Sequence, residues 1–259
     1  MTSMLLQGKR IIITGAASGI GLGSARYFAE QGATVIVADR DEAALGAAWQ
    51  GHPSSQILAI DVTDEAACER LIALACVREE ALDGLFHCAG ISDVVVPAIE
   101  LEAAAWQRIV DVNLRGTFLM CRAAGRVMVG QGRGSIVTTS SVNGLAGIPR
   151  RHAYGPAKAA VAQLTRTLAC EWGQAQVRVN ALAPTYVMTP MIERLAGEGK
   201  VDVARLEKRT PLGRLASVED VARSAMFLLS DWSDYITGVI LPVDGGWTAY
   251  GGPGDVATA

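Results

Sequence analysis

The segment of residues 10–39 restricts the possible folds of this chain most strongly. It begins with a short β-branched run at 10–14, which is typical of a buried parallel strand. A glycine-rich turn at 15–21 follows, then a helical pattern that ends at Gly32, and then a second apolar run at 33–38. Strand, turn, helix and strand in this order predict a βαβ unit with two parallel strands.

The turn of this unit predicts a phosphate-binding site. Gly15, Gly19 and Gly21 carry no Cβ, so backbone N–H groups and a helix start can approach a pyrophosphate closely. Asp39, at the end of the second strand, is placed to accept hydrogen bonds from an adenosine ribose, and its charge repels a 2′-phosphate. The pattern therefore predicts a dinucleotide, and NAD rather than NADP. Arg40 leaves NADP possible, because an arginine at this place can hold a 2′-phosphate.

The rest of the chain repeats the alternation of strands and helices. Five more buried strands are predicted, at residues 56–60, 83–87, 134–139, 177–182 and 237–242. Helical patterns lie between them, at about 41–49, 64–80, 102–129, 154–172 and 217–230. A turn is predicted at 52–55. No linker or repeat divides the chain, so residues 1–259 are predicted to form one doubly wound α/β domain with a mostly parallel seven-stranded sheet and helices on both faces.

Charge and composition argue against several classes of function. The net charge is −3, and no basic block indicates a nucleic acid or an anionic membrane as partner. No apolar run approaches the roughly 20 residues that cross a bilayer. The first ten residues lack the apolar core of a secretory signal. The five cysteines show no metal-type spacing, so we expect reduced thiols, no metal site and a cytoplasmic location.

Tyr154 and Lys158 stand four residues apart at the start of a long helical pattern, which places both on one helix face. An ammonium group near a phenol favours the phenolate and lowers a pKa that is ordinarily about 10. Such a tyrosine can exchange a proton with a substrate hydroxyl near neutral pH. The same pair occurs on ordinary helices, so its meaning depends on the rest of the chain.

These features together resemble the short-chain dehydrogenase/reductase superfamily over essentially the whole chain. The glycine turn resembles the family's cofactor turn, Asp61 and Val62 resemble its adenine contact, and residues 180–184 with Thr189 resemble its nicotinamide-side loop. The resemblance implies a Rossmann-type fold. It also implies a catalytic tetrad, which consists of Asn113, Ser141, Tyr154 and Lys158.

The resemblance further implies contacts with the cofactor and the substrate. The residues expected at the cofactor are Gly15, Ser18, Gly19, Ile20, Gly21, Asp39, Arg40, Asp61, Val62, Ala89, Gly90, Tyr154, Lys158, Pro184, Val187 and Thr189. The residues expected around the substrate are Ser141, Asn143, Ile148, Arg151, His152 and Tyr186. Arg151 and His152 are equally compatible with a solvated loop. The irregular, charged segment 189–213 is expected to form a substrate lid, with a solvated surface excursion as the alternative.

Two places depart from the family pattern. His87 and Cys88 stand where the family usually has two asparagines, and Thr185 follows Pro184 where the family usually has glycine. The small residues after Cys88 are retained, so we expect the ribose contact to survive. The Cβ of Thr185 is expected to alter either the substrate shape or the cofactor contact, and the sequence leaves both open.

The implied reaction is hydride transfer between a nicotinamide and a carbinol or carbonyl carbon. Tyr154 would take up or give the hydroxyl proton, and Ser141 would position the substrate oxygen. Lys158 would lower the Tyr154 pKa and bind the ribose, and Asn113 would hold a water that links Lys158 to solvent. No metal is expected.

The C-terminal run at 241–248 is similar to members that act on polyols, sugars and small secondary alcohols. We therefore expect an NAD-dependent dehydrogenase of such a substrate. An NADPH-dependent reductase of 3-oxoacyl thioesters or ketones is the first alternative, because those enzymes share much of this run. A non-catalytic dinucleotide-binding regulator is the second, although the intact Tyr154 and Lys158 argue against it. By analogy we expect a homotetramer or homodimer.

Overall fold

The structure, a computed structural model, describes residues 4–52, 55–77, 81–93, 95–252 and 254–256. The middle of the turn predicted at 52–55 and the end of the helix predicted at 64–80 lie outside these residues. The strands are β1 (Arg10–Thr14), β2 (Thr34–Asp39), β3 (Gln56–Ala59), β4 (Gly84–His87), β5 (Gly134–Thr139), β6 (Val177–Pro184), β7 (Val187–Met188), β8 (Ala216–Ser217) and β9 (Ile240–Val243). The helices are α1 (Gly19–Glu30), α2 (Glu42–Trp49), α3 (Glu65–Ala75), α4 (Ala103–Val110), α5 (Gly116–Gln131), α6 (Tyr154–Trp172), α7 (Pro190–Gly197), α8 (Val203–Arg209) and α9 (Val218–Leu229).

Seven of these strands form one parallel sheet in the order β3-β2-β1-β4-β5-β6-β9. This order confirms the predicted doubly wound, Rossmann-type fold. The strand order reverses between β1 and β4, and ligands of such sheets bind at the carboxyl ends of the strands at that point. The short strands β7 and β8 pair separately and were not predicted.

The sheet is buried on both faces, as β1 shows. All five of its residues are buried. Ile12 packs in an apolar layer with side chains of α3, α5 and α6, whereas Ile11 and Ile13 pack in a second layer with α1, α2 and α9. Full burial of each such side chain contributes about 1.5–3 kcal/mol. Two covered faces explain why the strands read as continuous apolar runs.

Two helices differ from their predicted extents. The helix predicted at 64–80 ends at Ala75, because Cys76 leaves the helical conformation and the Arg10 side chain donates a hydrogen bond to the Ala75 carbonyl. The helix predicted at 102–129 is divided by a π-helical segment, Asp111–Arg115, which joins α4 to α5. Such insertions are frequent at functional sites.

The segment 189–213 is more regular than predicted, because it contains α7 and α8. Each of these helices begins with a capping side chain. Thr189 Oγ1 accepts a hydrogen bond from Ile192 N–H at 3.4 Å, and Asp202 Oδ1 accepts one from Arg205 N–H at 3.0 Å. These side chains stabilise the two helix starts. The final strand, predicted at 237–242, is shifted to Ile240–Val243.

Candidate active site

Ser141, Tyr154 and Lys158 lie together beyond the carboxyl end of β5. Ser141 is 6% exposed and Lys158 is 3% exposed. Lys158 Nζ donates a hydrogen bond of 2.8 Å to the carbonyl of Thr139 and lies 5.4 Å from the centre of the Tyr154 ring. Ser140 Oγ donates to the Lys158 carbonyl at 2.8 Å and so ties α6 to the strand end. Strand and helix therefore bring three of the four predicted catalytic side chains into one cluster.

Asn113, the fourth of these residues, is fully buried in the π-helical segment. Its Nδ2 donates to the Ile91 carbonyl at 2.9 Å, and its Oδ1 accepts from Ile91 N–H at 3.3 Å. A Cβ atom at Gly90 would lie 2.6 Å from Asn113 Oδ1 and 3.5 Å from Lys158 Nζ, so these three residues adjoin one another. Asn113 thus holds the loop after β4 against the cluster of Ser141, Tyr154 and Lys158.

Asp93 fixes the start of α6, and its role was not predicted. Both of its carboxylate oxygens accept a hydrogen bond from Tyr154 N–H, at 3.0 and 3.1 Å. Ala153, immediately before the helix, supplies no side-chain cap, and a carboxylate at a helix start is stabilising. In the sequence, the only indication of this contact is Ala153, which cannot cap α6 with its own side chain.

The glycine turn after β1 is packed against the turn after β4. A Cβ at Gly15, where φ is +72°, would lie 2.9 Å from Ala89 N, and a Cβ at Gly21 would lie 2.1 Å from the Gly15 carbonyl oxygen. Thr14 Oγ1 accepts hydrogen bonds of 3.2 Å from the N–H groups of Cys88 and Ala89. Only glycine fits this close approach of backbones, and the glycine turn, called the cradle below, lies at the point where the strand order reverses.

Asp39 and Arg40 stand at the β2 end of this cradle. Asp39 accepts hydrogen bonds of 3.1 Å from the N–H groups of Ala17 and Asp41. The exposed Arg40 lies beside Asp61, and both line a cleft of about 550 Å³ together with Arg108 and Arg115. The Asp39 carboxylate is thus held next to the glycine turn, while Arg40 belongs to the cleft beside β3.

Asp61 is held ionised at the end of β3. Burial raises its pKa, but hydrogen bonds from Thr63 N–H at 2.9 Å and Thr63 Oγ1 at 2.8 Å outweigh this effect. The charges of Arg40 and Arg108 lower the pKa further, so that it stays below its ordinary value. The cap of α3 is Asp64 and not Asp61, which leaves Asp61 at the cleft.

The other residues expected at the cofactor fall into two groups. Ser18 is exposed and makes no capping bond, and the Thr189 methyl would lie 3.6 Å from a Cβ at Gly19, so both border the glycine turn. The side chains of Val62 and Val187 are instead buried in the two apolar layers. A cofactor can reach these two positions only through their main chains.

Of the residues expected around the substrate, Asn143 contacts Ser141 directly. Asn143 N–H and Nδ2 donate to Ser141 Oγ at 3.2 and 3.4 Å. Arg151 donates to Ser92 Oγ at 3.0 Å, and the His152 carbonyl accepts from Trp106 Nε1 at 3.0 Å. The polar groups of this loop are thus partly engaged with the protein itself.

Tyr186 connects the cluster to the segment 189–213 and to the C-terminal tail. Its ring centre lies 5.8 Å from that of Trp247. The guanidinium of Arg209, at the end of α8, stacks on Trp247 at 4.9 Å and on Tyr250 at 4.7 Å. Helix α8 and the tail are therefore joined on the side of the site where Tyr186 lies.

Comparisons with known proteins identify the family of this chain. A family model described as enoyl-(acyl carrier protein) reductase matches residues 15–248. The cis-4-hydroxycyclohexanecarboxylate dehydrogenase of Sinomonas cyclohexanicum is 40% identical over 242 residues, which are 92% of this chain and 96% of that protein. The galactitol 2-dehydrogenase (L-tagatose-forming) of Cereibacter sphaeroides is 40% identical over 255 residues, covering 96% of this chain and 98% of the relative. The solved structure of a short-chain type dehydrogenase/reductase from Mycobacterium ulcerans superposes with a TM-score of 0.90 at 34% identity, covering 96% and 92% of the two chains.

The chain belongs to the short-chain dehydrogenase/reductase family. It is accordingly an oxidoreductase that acts on CH–OH groups. Members of this family bind NAD or NADP. The residues present fit such a dinucleotide, since the glycine turn carries no Cβ at Gly15, Gly19 and Gly21 and leads directly into the start of α1, where backbone N–H groups can approach a pyrophosphate.

The departures from the short-chain dehydrogenase/reductase pattern have different effects. His87 is 1% exposed, and its Nδ1 lies 2.9 Å from Thr14 Oγ1. Thr14 Oγ1 already accepts hydrogen bonds from two N–H groups, so its proton is donated to Nδ1. The ring proton is therefore assigned to Nε2, which has no hydrogen-bond partner among the described residues. Burial lowers the His87 pKa to about 3 and raises that of Cys88 to about 11, so both side chains are neutral at pH 7.

We expected the Lys158 ammonium to hold the Tyr154 pKa below its ordinary value, and this prediction is wrong in this structure. Burial raises the pKa of Tyr154 above its ordinary value, although a hydrogen bond with Ser141 opposes this. Burial lowers the pKa of Lys158 to about 8. Spacing on a helix showed that the two side chains share a face, but it did not show that both are removed from water, and desolvation disfavours both charges.

Two further features concern metals and membranes. Among the described residues, no group of three or more His, Cys, Asp or Glu side chains is arranged to hold a metal ion. All five cysteines are free thiols. Within the described ranges, no helix is long and apolar enough to span a bilayer.

Proposed function

We propose that this protein is an NAD-dependent dehydrogenase of small secondary alcohols, with polyols as the main class. The observation that carries the proposal is the buried cluster of Ser141, Tyr154 and Lys158, which lies near the glycine turn that Asp39 borders. The relatives named as dehydrogenases of galactitol and of cis-4-hydroxycyclohexanecarboxylate support the substrate class.

Each side chain of the cluster has a proposed role. The bound nicotinamide ring supplies a hydride acceptor or donor. Tyr154 Oη takes the proton from the substrate hydroxyl, and Ser141 Oγ holds the substrate oxygen in place. Lys158 Nζ, anchored on the Thr139 carbonyl, holds the cofactor ribose and provides the positive charge that favours the phenolate once the site is loaded. Asn113 shapes the loop at Gly90 and connects Lys158 to a water path.

The proposal of NAD rather than NADP rests on Asp39 and Arg40. The Asp39 carboxylate is fixed by the N–H groups of Ala17, in the glycine turn, and of Asp41, at the place where a 2′-phosphate would add negative charge. Arg40 lies close enough to Asp61 to lower its pKa. Its guanidinium lines the cleft beside Asp61, and we propose that it stays there when the cofactor is bound.

The proposal also covers the domain organisation, the substrate lid and the association of the protein. We propose one catalytic domain for residues 1–259, since one continuous sheet supports it. We propose that α7 and α8, within 189–213, close over the substrate. Association as a homotetramer or homodimer is supported by half-exposed apolar side chains on α4 and α5, which are Trp106 and Phe118, and sedimentation analysis tests it.

Initial rates with NAD and NADP test the proposal across a panel of polyols, secondary alcohols, hydroxyketones and 3-oxoacyl thioesters. We expect a higher kcat/KM with NAD, and oxidation of polyols or secondary alcohols. A clear preference for NADP and for 3-oxoacyl thioesters would establish the reductase alternative instead. Measurable NAD binding without turnover of any substrate would indicate a regulatory protein.

A further inference from the structure

Tyr154, the proposed proton-transfer residue, is the first residue of α6. Helix ends fray, and the first four N–H groups of a helix have no acceptor within the helix. The Tyr154 Oη must nevertheless keep one position, because misplacement of a reacting group by about 1 Å can reduce a rate about 100-fold. The start of α6 therefore needs a contact from outside the helix that holds it in place.

The Tyr154 N–H group differs from the other backbone groups in the first turn of α6. Pro156 has no N–H, and the N–H groups of Gly155 and Ala157 donate to carbonyls one turn earlier in the same segment. Tyr154 N–H donates instead to the two carboxylate oxygens of Asp93, at 3.0 and 3.1 Å. The acceptor that holds the first residue of α6 thus comes from the loop after β4.

The loop that carries Asp93 is itself held in place by the two residues before it. Asn113 Nδ2 donates to the Ile91 carbonyl at 2.9 Å, and Asn113 Oδ1 accepts from Ile91 N–H at 3.3 Å. Ser92 Oγ accepts a hydrogen bond of 3.0 Å from Arg151, shortly before α6. Because Asn113 is fully buried, the Asp93 carboxylate is presented to α6 from a fixed support.

We propose that Asp93 is a positioning residue for the reaction, which holds the Tyr154 main chain so that Oη stays in place for proton transfer. This inference rests on the proposed function and adds to it a residue outside the predicted tetrad. Asp93 acts through the Tyr154 N–H group, and the loop that carries it connects Asn113 to Tyr154. The hydrogen bond matters rather than the charge, so an uncharged side chain with an acceptor oxygen at this place should serve.

Two substitutions of Asp93 separate the hydrogen bond from the charge. Asp93→Ala removes both, whereas Asp93→Asn keeps one acceptor oxygen in a side chain of nearly the same shape. We expect Asp93→Ala to lower kcat for alcohol oxidation with NAD by roughly 10- to 100-fold, and Asp93→Asn to stay within about threefold of wild type. The kcat values are compared at the optimum pH of each variant, because the Asp93 charge adds to burial in raising the Tyr154 pKa.

Asp64→Ala is the matched control, because Asp64 caps a different helix with the same chemical group. Its carboxylate accepts a hydrogen bond of 2.9 Å from Ala66 N–H at the start of α3. We expect Asp64→Ala and Asp93→Ala to lower the melting temperature by similar amounts of a few degrees, since each loses one helix cap. Only Asp93→Ala should lower kcat.

The binding of NADH gives a readout that separates positioning from a general loss of structure. A fluorescence titration measures it without any turnover. We expect the affinity of Asp93→Ala for NADH to stay within a few-fold of wild type, because the glycine turn and Asp39 are unchanged in this variant. A fall in kcat without a matching loss of NADH affinity is the result that positioning of Tyr154 predicts.

Three results would overturn the inference while leaving the proposed dehydrogenase intact. The first is an equal kcat in wild type and Asp93→Ala. The second is an equal loss of kcat in Asp93→Ala and Asp93→Asn, which would show that the charge matters and not the hydrogen bond. The third is failure of Asp93→Ala to fold, or parallel losses of kcat, NADH affinity and melting temperature, which would show a structural role. Absence of turnover by the wild-type protein with every alcohol would instead overturn the proposed function.

Discussion

His87 makes the stability of this protein sensitive to mild acid. The ring is 1% exposed, Nδ1 accepts from the Thr14 hydroxyl, and burial lowers the pKa to about 3. In the unfolded chain the histidine pKa is about 6.5, so the unfolded state takes up a proton below that pH while the folded state does not. Stability is therefore lost as pH falls from about 6.5 toward the folded pKa.

The magnitude follows from the two pKa values. From pH 7 to pH 4.5, only the unfolded state takes up the His87 proton, over an effective interval of nearly two pH units. Each pH unit is worth about 1.4 kcal/mol, so the free energy of unfolding falls by roughly 2–3 kcal/mol through His87 alone. His87→Asn removes this dependence. The difference between wild type and variant is the quantity to measure, because the acidic residues titrate equally in both.

The assay is urea unfolding at several pH values from 7 to 4.5, followed by circular dichroism at a fixed protein concentration. We expect the wild type to lose roughly 2–3 kcal/mol more than His87→Asn over this range. His52→Asn, at an exposed histidine, is the control and should keep the wild-type dependence. Parallel curves for wild type and His87→Asn would refute the reasoning that the ring is buried and neutral.

Three further predictions follow from the site. Asp39→Ser should raise the NADP-to-NAD ratio of kcat/KM by about tenfold or more, since it removes the charge that repels a 2′-phosphate; an unchanged ratio would contradict this. Lys158→Met should abolish turnover, because it removes the ammonium group from the site. It should also raise the free energy of unfolding of the unliganded protein at pH 7 by roughly 1–3 kcal/mol, because the Lys158 pKa of about 8 in the folded state lies below the unfolded value. Urea unfolding should show that this gain in stability shrinks above pH 8. Gly90→Ala should lower both melting temperature and kcat, since its Cβ would lie 2.6 Å from Asn113 Oδ1, whereas Gly147→Ala, with open space around it, should change neither.

Much of the fold was predictable because it depends on local patterns. The strands of a doubly covered parallel sheet read as short apolar runs, and Gly15 and Gly21 mark a close approach of backbones that only glycine permits. The start of α6 at Tyr154 was predicted correctly for the same reason. These features are encoded within a few consecutive residues.

The errors concern features that depend on distant residues. The π-helical segment at Asn113 was not predicted, and the early end of α3 coincides with a hydrogen bond from Arg10, which is 65 residues away in the sequence. Asp93 caps α6 but lies 61 residues away in the sequence, so the residues around the helix start do not reveal it. The predicted lowering of the Tyr154 pKa was wrong, because the pKa is raised by burial, and burial is a property of the assembled fold.

Replacement of Tyr154 by phenylalanine tests the central claim most directly. The ring is retained, so the cluster and the cradle should be preserved, and only the proton-transferring Oη is removed. We expect NADH binding, measured by fluorescence titration, to stay within a few-fold of wild type, while kcat for alcohol oxidation falls by about 1,000-fold or more. Near wild-type turnover in this variant would contradict the assignment of Tyr154 as the proton-transfer group.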